Sequence, residues 1–143
     1  MKVLNSSTVS AFGGLNYVIK EAIDLGIDKL LNNSLPVLPK QSKYKWFDVI
    51  MSYSWSVFFC GGDCAEDLAI NLKKGLHNNP FINIPSPDRV LNRLKSLSDT
   101  PQFFTAKRGK TEHHFSLAGE LNRLKIKMLS LFPGFQKENV VLD

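Results

Sequence analysis

Hydrophobic residues recur at helical spacing along most of the chain, and glycine and proline divide the pattern into segments. After a short extended segment at residues 1–10, Gly13-Gly14 opens a first helical stretch. Gly26 closes that stretch in the manner of a C-terminal cap. A second short helix is predicted at 27–33, ended by Leu35-Pro36.

A third segment, residues 46–59, is apolar on nearly every helical face. Helices of this kind normally lie at the centre of a domain, and this one is too short to span a bilayer. We therefore predict a central helix in which Trp46, Trp55 and Phe58 are core positions. Gly61-Gly62 is predicted to end it.

Two helices are predicted next, separated by a long connection. Asp63 is placed to cap the first, at 64–73, and a loop rich in Asn, Gly and Pro follows at 74–85. Ser86-Pro87 is typical of a helix start, with serine as N-cap and proline at the first helical position. This helix is predicted to end near Ser98, before Thr100-Pro101.

The C-terminal third is predicted to begin with a polar, basic loop at 105–114 and to continue as an amphipathic helix at 115–132. An extended strand follows at 139–143. The fold class is therefore mainly α. Its domains are a helical domain at 1–135 and a strand segment at 136–143.

Composition excludes several classes of protein. The chain has 143 residues, 43% hydrophobic and 22% charged, which is typical of one globular domain. These values argue against a disordered chain, a collagen-like repeat and a membrane bundle. No membrane partner is expected.

The cysteines and the N-terminus indicate the compartment. Cys60 and Cys64 are the two cysteines, and their spacing suits neither a zinc site nor a relaxed disulfide. The first residues turn polar before an apolar signal core develops. We expect a cytoplasmic protein with both thiols reduced.

The positive charge is concentrated in one region. The chain holds 18 Lys and Arg against 13 Asp and Glu. Between Ser86 and Lys127 there are nine basic and four acidic residues, so this region carries the whole surplus of +5. A basic region of this kind suits contacts to DNA phosphates, although scattered basic residues are more often a solvated face. The candidate DNA-binding residues are Ser86, Arg89, Arg93, Lys95, Lys107, Arg108 and Lys110.

Three stretches resemble a known family in their order and spacing. They are Phe12-Gly13-Gly14-Leu15, the run Gly61-Gly62-Asp63-Cys64-Ala65-Glu66-Asp67-Leu68, and the helix Pro85-Ser86-Pro87-Asp88-Arg89-Val90-Leu91-Asn92-Arg93-Leu94-Lys95. They resemble the N-terminal region of bacterial insertion-sequence transposases with a DDE catalytic core. The resemblance implies binding to double-stranded DNA at the terminal inverted repeats of the element, and it allows a homodimer. Arg89 departs from the threonine that is common in the family.

The resemblance also gives the C-terminus a role. Val140-Val141-Leu142-Asp143 corresponds to the first strand of the family's ribonuclease-H-like core. This implies that Asp143 is the first catalytic carboxylate and a ligand for Mg²⁺ or Mn²⁺ in the full-length family. Two-metal catalysis needs several converging carboxylates. The chain is therefore expected to be an N-terminal fragment that is inactive and without a cofactor by itself.

Two other functions remain open on the residues alone. The chain can be a separate helical DNA-binding regulator, or a helical protein-interaction domain whose basic face is only solvated surface. DNA binding and its salt dependence separate the last alternative from the other two.

Overall fold

The computed structural model of the chain describes residues 12–73, 75–76, 79–99, 102–105, 112–115 and 118–132. These residues are mainly helical, which confirms the predicted fold class. The predicted segments at 1–10 and 139–143 lie outside them. The elements are α1 (Leu15–Asp24), α2 (Ile27–Ser34), α3 (Trp46–Cys60), a π-helical turn (Ala69–Lys73), α4 (Pro87–Lys95), β1 (Gln102–Thr105), β2 (Glu112–Phe115) and α5 (Gly119–Leu129).

The chain divides into two compact units between Leu91 and Asn92, within α4. The sequence pattern instead grouped residues 1–135 as one helical domain. In the first unit, α1 packs on α2, α2 packs on α3, and α3 packs on the π-helical turn.

The turn between α1 and α2 depends on Gly26. Its φ of 78° is in the left-handed region, where a side chain is strained, and its N–H donates to the carbonyl of Ile23 at 2.8 Å. This confirms the predicted end of α1. The buried residues of the two helices are Leu15, Ile19, Ala22, Ile27 and Leu31.

The central helix is α3. Trp46 and Trp55 are each 2% exposed, which confirms that they are core residues. The prediction that Phe58 is a core position is wrong, because its side chain is 81% exposed. Phe58 lies in the last turn of α3. An apolar pattern shows that a helix is hydrophobic, but it does not show how far along the helix neighbouring elements cover it.

The turn after α3 is fixed by two glycines with different roles. Gly61 has φ 67° and ends the helix as predicted. The N–H of Gly62 donates to the carbonyl of Ser56 at 2.9 Å. A Cβ at Gly62 would lie 2.9 Å from Ser56 Oγ and 3.1 Å from Asp67 Cβ, so only glycine fits without displacement.

The helix predicted at 64–73 differs in the structure. Asp63 was expected to cap it, but Asp67 accepts the backbone N–H groups of Asp63 and Cys64 at 2.8 and 3.1 Å. The helical element of this segment is the π-helical turn Ala69–Lys73, which is shorter than the helix predicted. The hydrogen bonds from these N–H groups lower the pKa of Asp67.

The second unit contains a β-hairpin that the sequence pattern did not predict. β1 and β2 pair antiparallel, with Gln102 opposite Phe115 and Thr105 opposite Glu112. The predicted loop at 105–114 is therefore wrong at both ends. The following helix begins at Gly119 rather than at residue 115, because strand pairing holds Phe115.

Candidate nucleic-acid interface

Proline stands at the first helical position of α4, as its sequence predicts. This residue is Pro87, and the carbonyl of Ser86 accepts the N–H of Val90 at 3.1 Å. The side chain of Val90 is fully buried, so it marks the inward face of the helix. Ser86 itself is half-buried, so it takes part chiefly in the helix start.

Arg89 and Arg93 share one side of α4. They lie four residues apart, which places them about 40° apart around the helix axis. Arg89 is exposed and Arg93 is half-buried. Both project from the flank next to the face that Val90 buries.

Lys95 does not join this pair. It follows Arg93 by two residues, so it lies about 200° further around the axis, on the opposite flank. Lys95 is exposed there, on the same side as Asp88. Of the three basic residues predicted on α4, the structure therefore brings two together and separates the third.

Sequence reasoning missed two residues of the same surface. Asn92 and Ser96 are exposed and lie on the Arg89 side of this pair. Ser96 is about 20° from Arg89 around the helix axis and Asn92 is about 60° from it, both on the side away from Arg93. Helical spacing alone could have found them. We call the set Arg89, Asn92, Arg93 and Ser96 the α4 polar stripe.

The end of α4 is held by hydroxyl groups. Ser96 Oγ donates to the carbonyl of Arg93 at 2.6 Å, and Ser98 Oγ donates to the carbonyl of Lys95 at 2.7 Å. The carbonyl of Lys95 also accepts the backbone N–H of Ser98 at 3.1 Å, so hydroxyl and backbone bonds together end the helix.

A second basic helix lies in the second unit. Arg123 and Lys127 of α5 are exposed and four residues apart, so they form a stripe of their own. The buried side chain of Leu124 anchors α5. Its N-terminus is capped from a distance, since Asp99 Oδ2 accepts the N–H of Gly119 at 2.9 Å.

The remaining predicted site residues lie outside the described part of the chain. Lys107, Arg108 and Lys110 fall in the connection between the paired residues Thr105 and Glu112. Asp143, the predicted catalytic and metal-binding residue, also falls outside it. Among the described residues, no three His, Cys, Asp or Glu side chains form a group that could hold a metal ion.

Comparison with protein-family models, curated proteins and solved structures finds no match for this chain. The resemblance to transposases therefore depends on the chain's own sequence, in the three stretches that begin at Phe12, Gly61 and Pro85 and in the C-terminal residues 140–143. Within the described residues, no helix is long and apolar enough to cross a membrane.

Proposed function

We propose that this chain binds double-stranded DNA through the α4 polar stripe, as the DNA-binding region of a DDE transposase that recognises the ends of an insertion sequence. The observation that carries the proposal is the arrangement of α4. Val90 anchors one face in the core, and Arg89 and Arg93 occupy one adjoining flank.

This arrangement suits the major groove of DNA. The groove admits one α-helix, and its base edges are read by side chains that form two hydrogen bonds at once. Arginine pairs in this way with guanine, and asparagine pairs with adenine. The stripe contains both types, in Arg93 and Asn92, together with Arg89 for phosphate contact.

The distribution of charge supports the same function. The region from Ser86 to Lys127 carries the entire formal surplus of +5, and the rest of the chain is neutral. Phosphate neutralisation by Lys and Arg supplies most of the affinity of a protein for DNA. The proposal assigns no metal ligand among the described residues and includes no step that requires Mg²⁺ or Mn²⁺.

A second candidate function is a protein-interaction domain. Phe58, Phe59 and Ile70 are more than half exposed, and apolar side chains of this size favour contact with another protein. The partner can be a second copy of the chain, so the oligomeric state has to be measured alongside DNA binding.

The test is a salt titration of binding to a labelled duplex of mixed sequence. Each phosphate contact contributes about −0.9 to the slope of log K against log salt. We expect Arg89→Ala/Arg93→Ala to weaken binding and to flatten the slope by about two units if both residues contact phosphate, or by about one if Arg93 reads a base.

The matched control is Lys20→Ala/Lys29→Ala, which removes two exposed charges from α1 and α2. It should leave the slope near that of the parent chain. Equal slopes for all three proteins would remove the α4 polar stripe from the DNA surface. No salt-dependent binding by the parent would favour the interaction domain.

A further inference from the structure

Asp48 joins two distant parts of the backbone. Its side chain is buried in the first turn of α3. One carboxylate oxygen accepts the N–H of Lys45 at 2.8 Å, and the other accepts the N–H of Asn83 at 2.9 Å. The first bond caps α3, whereas the second fixes a segment 35 residues further along the chain.

Asn83 lies in the segment that leads into α4. Ile82, Ile84 and Pro85 are buried around it, while the Asn83 side chain is exposed. The start of the segment is also hydrogen-bonded to α1. The side-chain amide of Asn79 donates to Asn16 Oδ1 at 2.8 Å. The backbone at Asn83 is therefore held to α3, and a side-chain bond joins the start of the segment to α1.

We propose that Asp48 is a positioning residue for the α4 polar stripe. Its carboxylate holds the Asn83 backbone four residues before Pro87, so that the start of α4 meets DNA already ordered. This role rests on the proposed DNA-binding function. It adds a residue that does not touch DNA and that neither charge nor spacing identifies.

A positioning role predicts a particular pattern of DNA binding. The two N–H groups meet different oxygens of Asp48, and Asn replaces one of these oxygens with an NH₂ group that cannot accept, so one of the two bonds is lost. If the ordered start of α4 becomes less populated, the apparent Kd rises by the same factor. The phosphate contacts of the bound state are unchanged, so the salt slope should stay the same.

The experiment compares Asp48→Asn with Asp67→Asn. Asp67 controls for the loss of a carboxylate charge, because both backbone N–H groups that it accepts meet the one oxygen Oδ2, so an Asn oxygen can still accept them. For Asp48→Asn we expect affinity for the duplex to fall about tenfold with an unchanged salt slope. The amide hydrogen of Asn83 should exchange faster, and Asp67→Asn should alter neither property.

A second pair of variants tests the bond without changing Asp48. Asn83→Pro removes the N–H donor, whereas Asn83→Ala keeps it and alters only an exposed side chain. We expect the proline variant to reproduce the loss of affinity and the alanine variant to bind normally. This pair decides the matter if Asp48→Asn does not fold.

Several results would overturn the inference. Unchanged affinity and unchanged exchange at Asn83 in Asp48→Asn would show that the carboxylate does not hold α4. A flattened slope would make Asp48 part of the contact surface instead. Absence of salt-dependent binding by the parent would overturn the proposed function. Faster amide exchange at Asn83 in Asp48→Asn would then show only that the Asp48 carboxylate stabilises the Asn83 backbone.

Discussion

Two serines in α3 show how much a single hydroxyl depends on its surroundings. Ser52 and Ser56 are both fully buried and lie one turn apart. Ser52 Oγ donates to the carbonyl of Asp48, whereas Ser56 Oγ has no partner among the described residues. A buried hydroxyl without a partner costs stability, because it has lost its hydrogen bonds to water.

We predict opposite effects for the two alanine substitutions. Ser52→Ala should lower the free energy of unfolding by about 1 kcal/mol, because it removes a formed hydrogen bond. Ser56→Ala should leave that free energy unchanged or raise it by up to about 1–3 kcal/mol. Urea denaturation of both variants measures the difference. An equal loss in the two would mean that the Ser56 hydroxyl is paired.

At the scale of elements, the turn from α3 to the π-helical turn is the most constrained connection described. Gly62→Ala would place a methyl group 2.9 Å from Ser56 Oγ and 3.0 Å from the Ser56 carbonyl oxygen. We expect a loss of about 1–3 kcal/mol in the free energy of unfolding, which is typical of overpacking. Thermal or urea denaturation measures it.

Gly14→Ala is the matched control for this prediction. Gly14 has a helical φ of −63°, and a Cβ there meets nothing within 4 Å, so alanine should be neutral or mildly stabilising. The double variant Ser56→Ala/Gly62→Ala should recover only part of the loss, since the carbonyl contact remains. Equal stability of Gly62→Ala and the parent would contradict the close packing of this turn.

The elements that the sequence predicted well are those with local signals. The bounds of α1, α2 and α3 follow from periodicity and glycine, and the start of α4 follows from Ser86-Pro87. The hairpin and the late start of α5 depend on pairing between β1 and β2 and on the cap from Asp99. These partners lie further apart than the two- to four-residue spacings by which a hydrophobic pattern predicts an element, so periodicity does not reveal them.

The residues of the candidate site were also predictable from the sequence only in part. Charge counting found Arg89 and Arg93, and helical spacing applied to the predicted helix would also have separated them from Lys95 and placed Asn92 and Ser96 on the side of Arg89. Asp48 could not be found from the sequence, because a lone acidic residue in an apolar helix carries no sign of the backbone that it holds.

For the whole molecule, Asp48 makes stability depend on pH. Burial raises the pKa of Asp48 above 3.8, and the bonds from Asn83 and Lys45, together with the charge of Lys45, offset this only in part. The folded chain therefore binds this proton more tightly than the unfolded chain does. The contribution of Asp48 to stability should fall as pH rises from 3.8 through the raised pKa.

The measurement is the free energy of unfolding of the parent minus that of Asp48→Asn, taken over a series of pH values. The subtraction cancels the other carboxyl groups, and the difference should shrink as pH rises through this window. A difference that grows with pH would mean that the two backbone hydrogen bonds outweigh burial, and that the pKa of Asp48 is lowered.

The close contact at Gly62 bears on what the Gly61-Gly62-Asp63 motif can signify. Gly61 is required because its φ is positive, and Gly62 is required because Ser56 leaves no room for a side chain. The carboxylate of Asp67 accepts the N–H of Asp63 in the same turn. Any chain that bends a helix end back on itself in this way meets the same demand, whatever it binds. The motif therefore indicates the conformation of a turn and not a binding partner. Two proteins that bind different partners can share it because they are related or because their chains form the same turn.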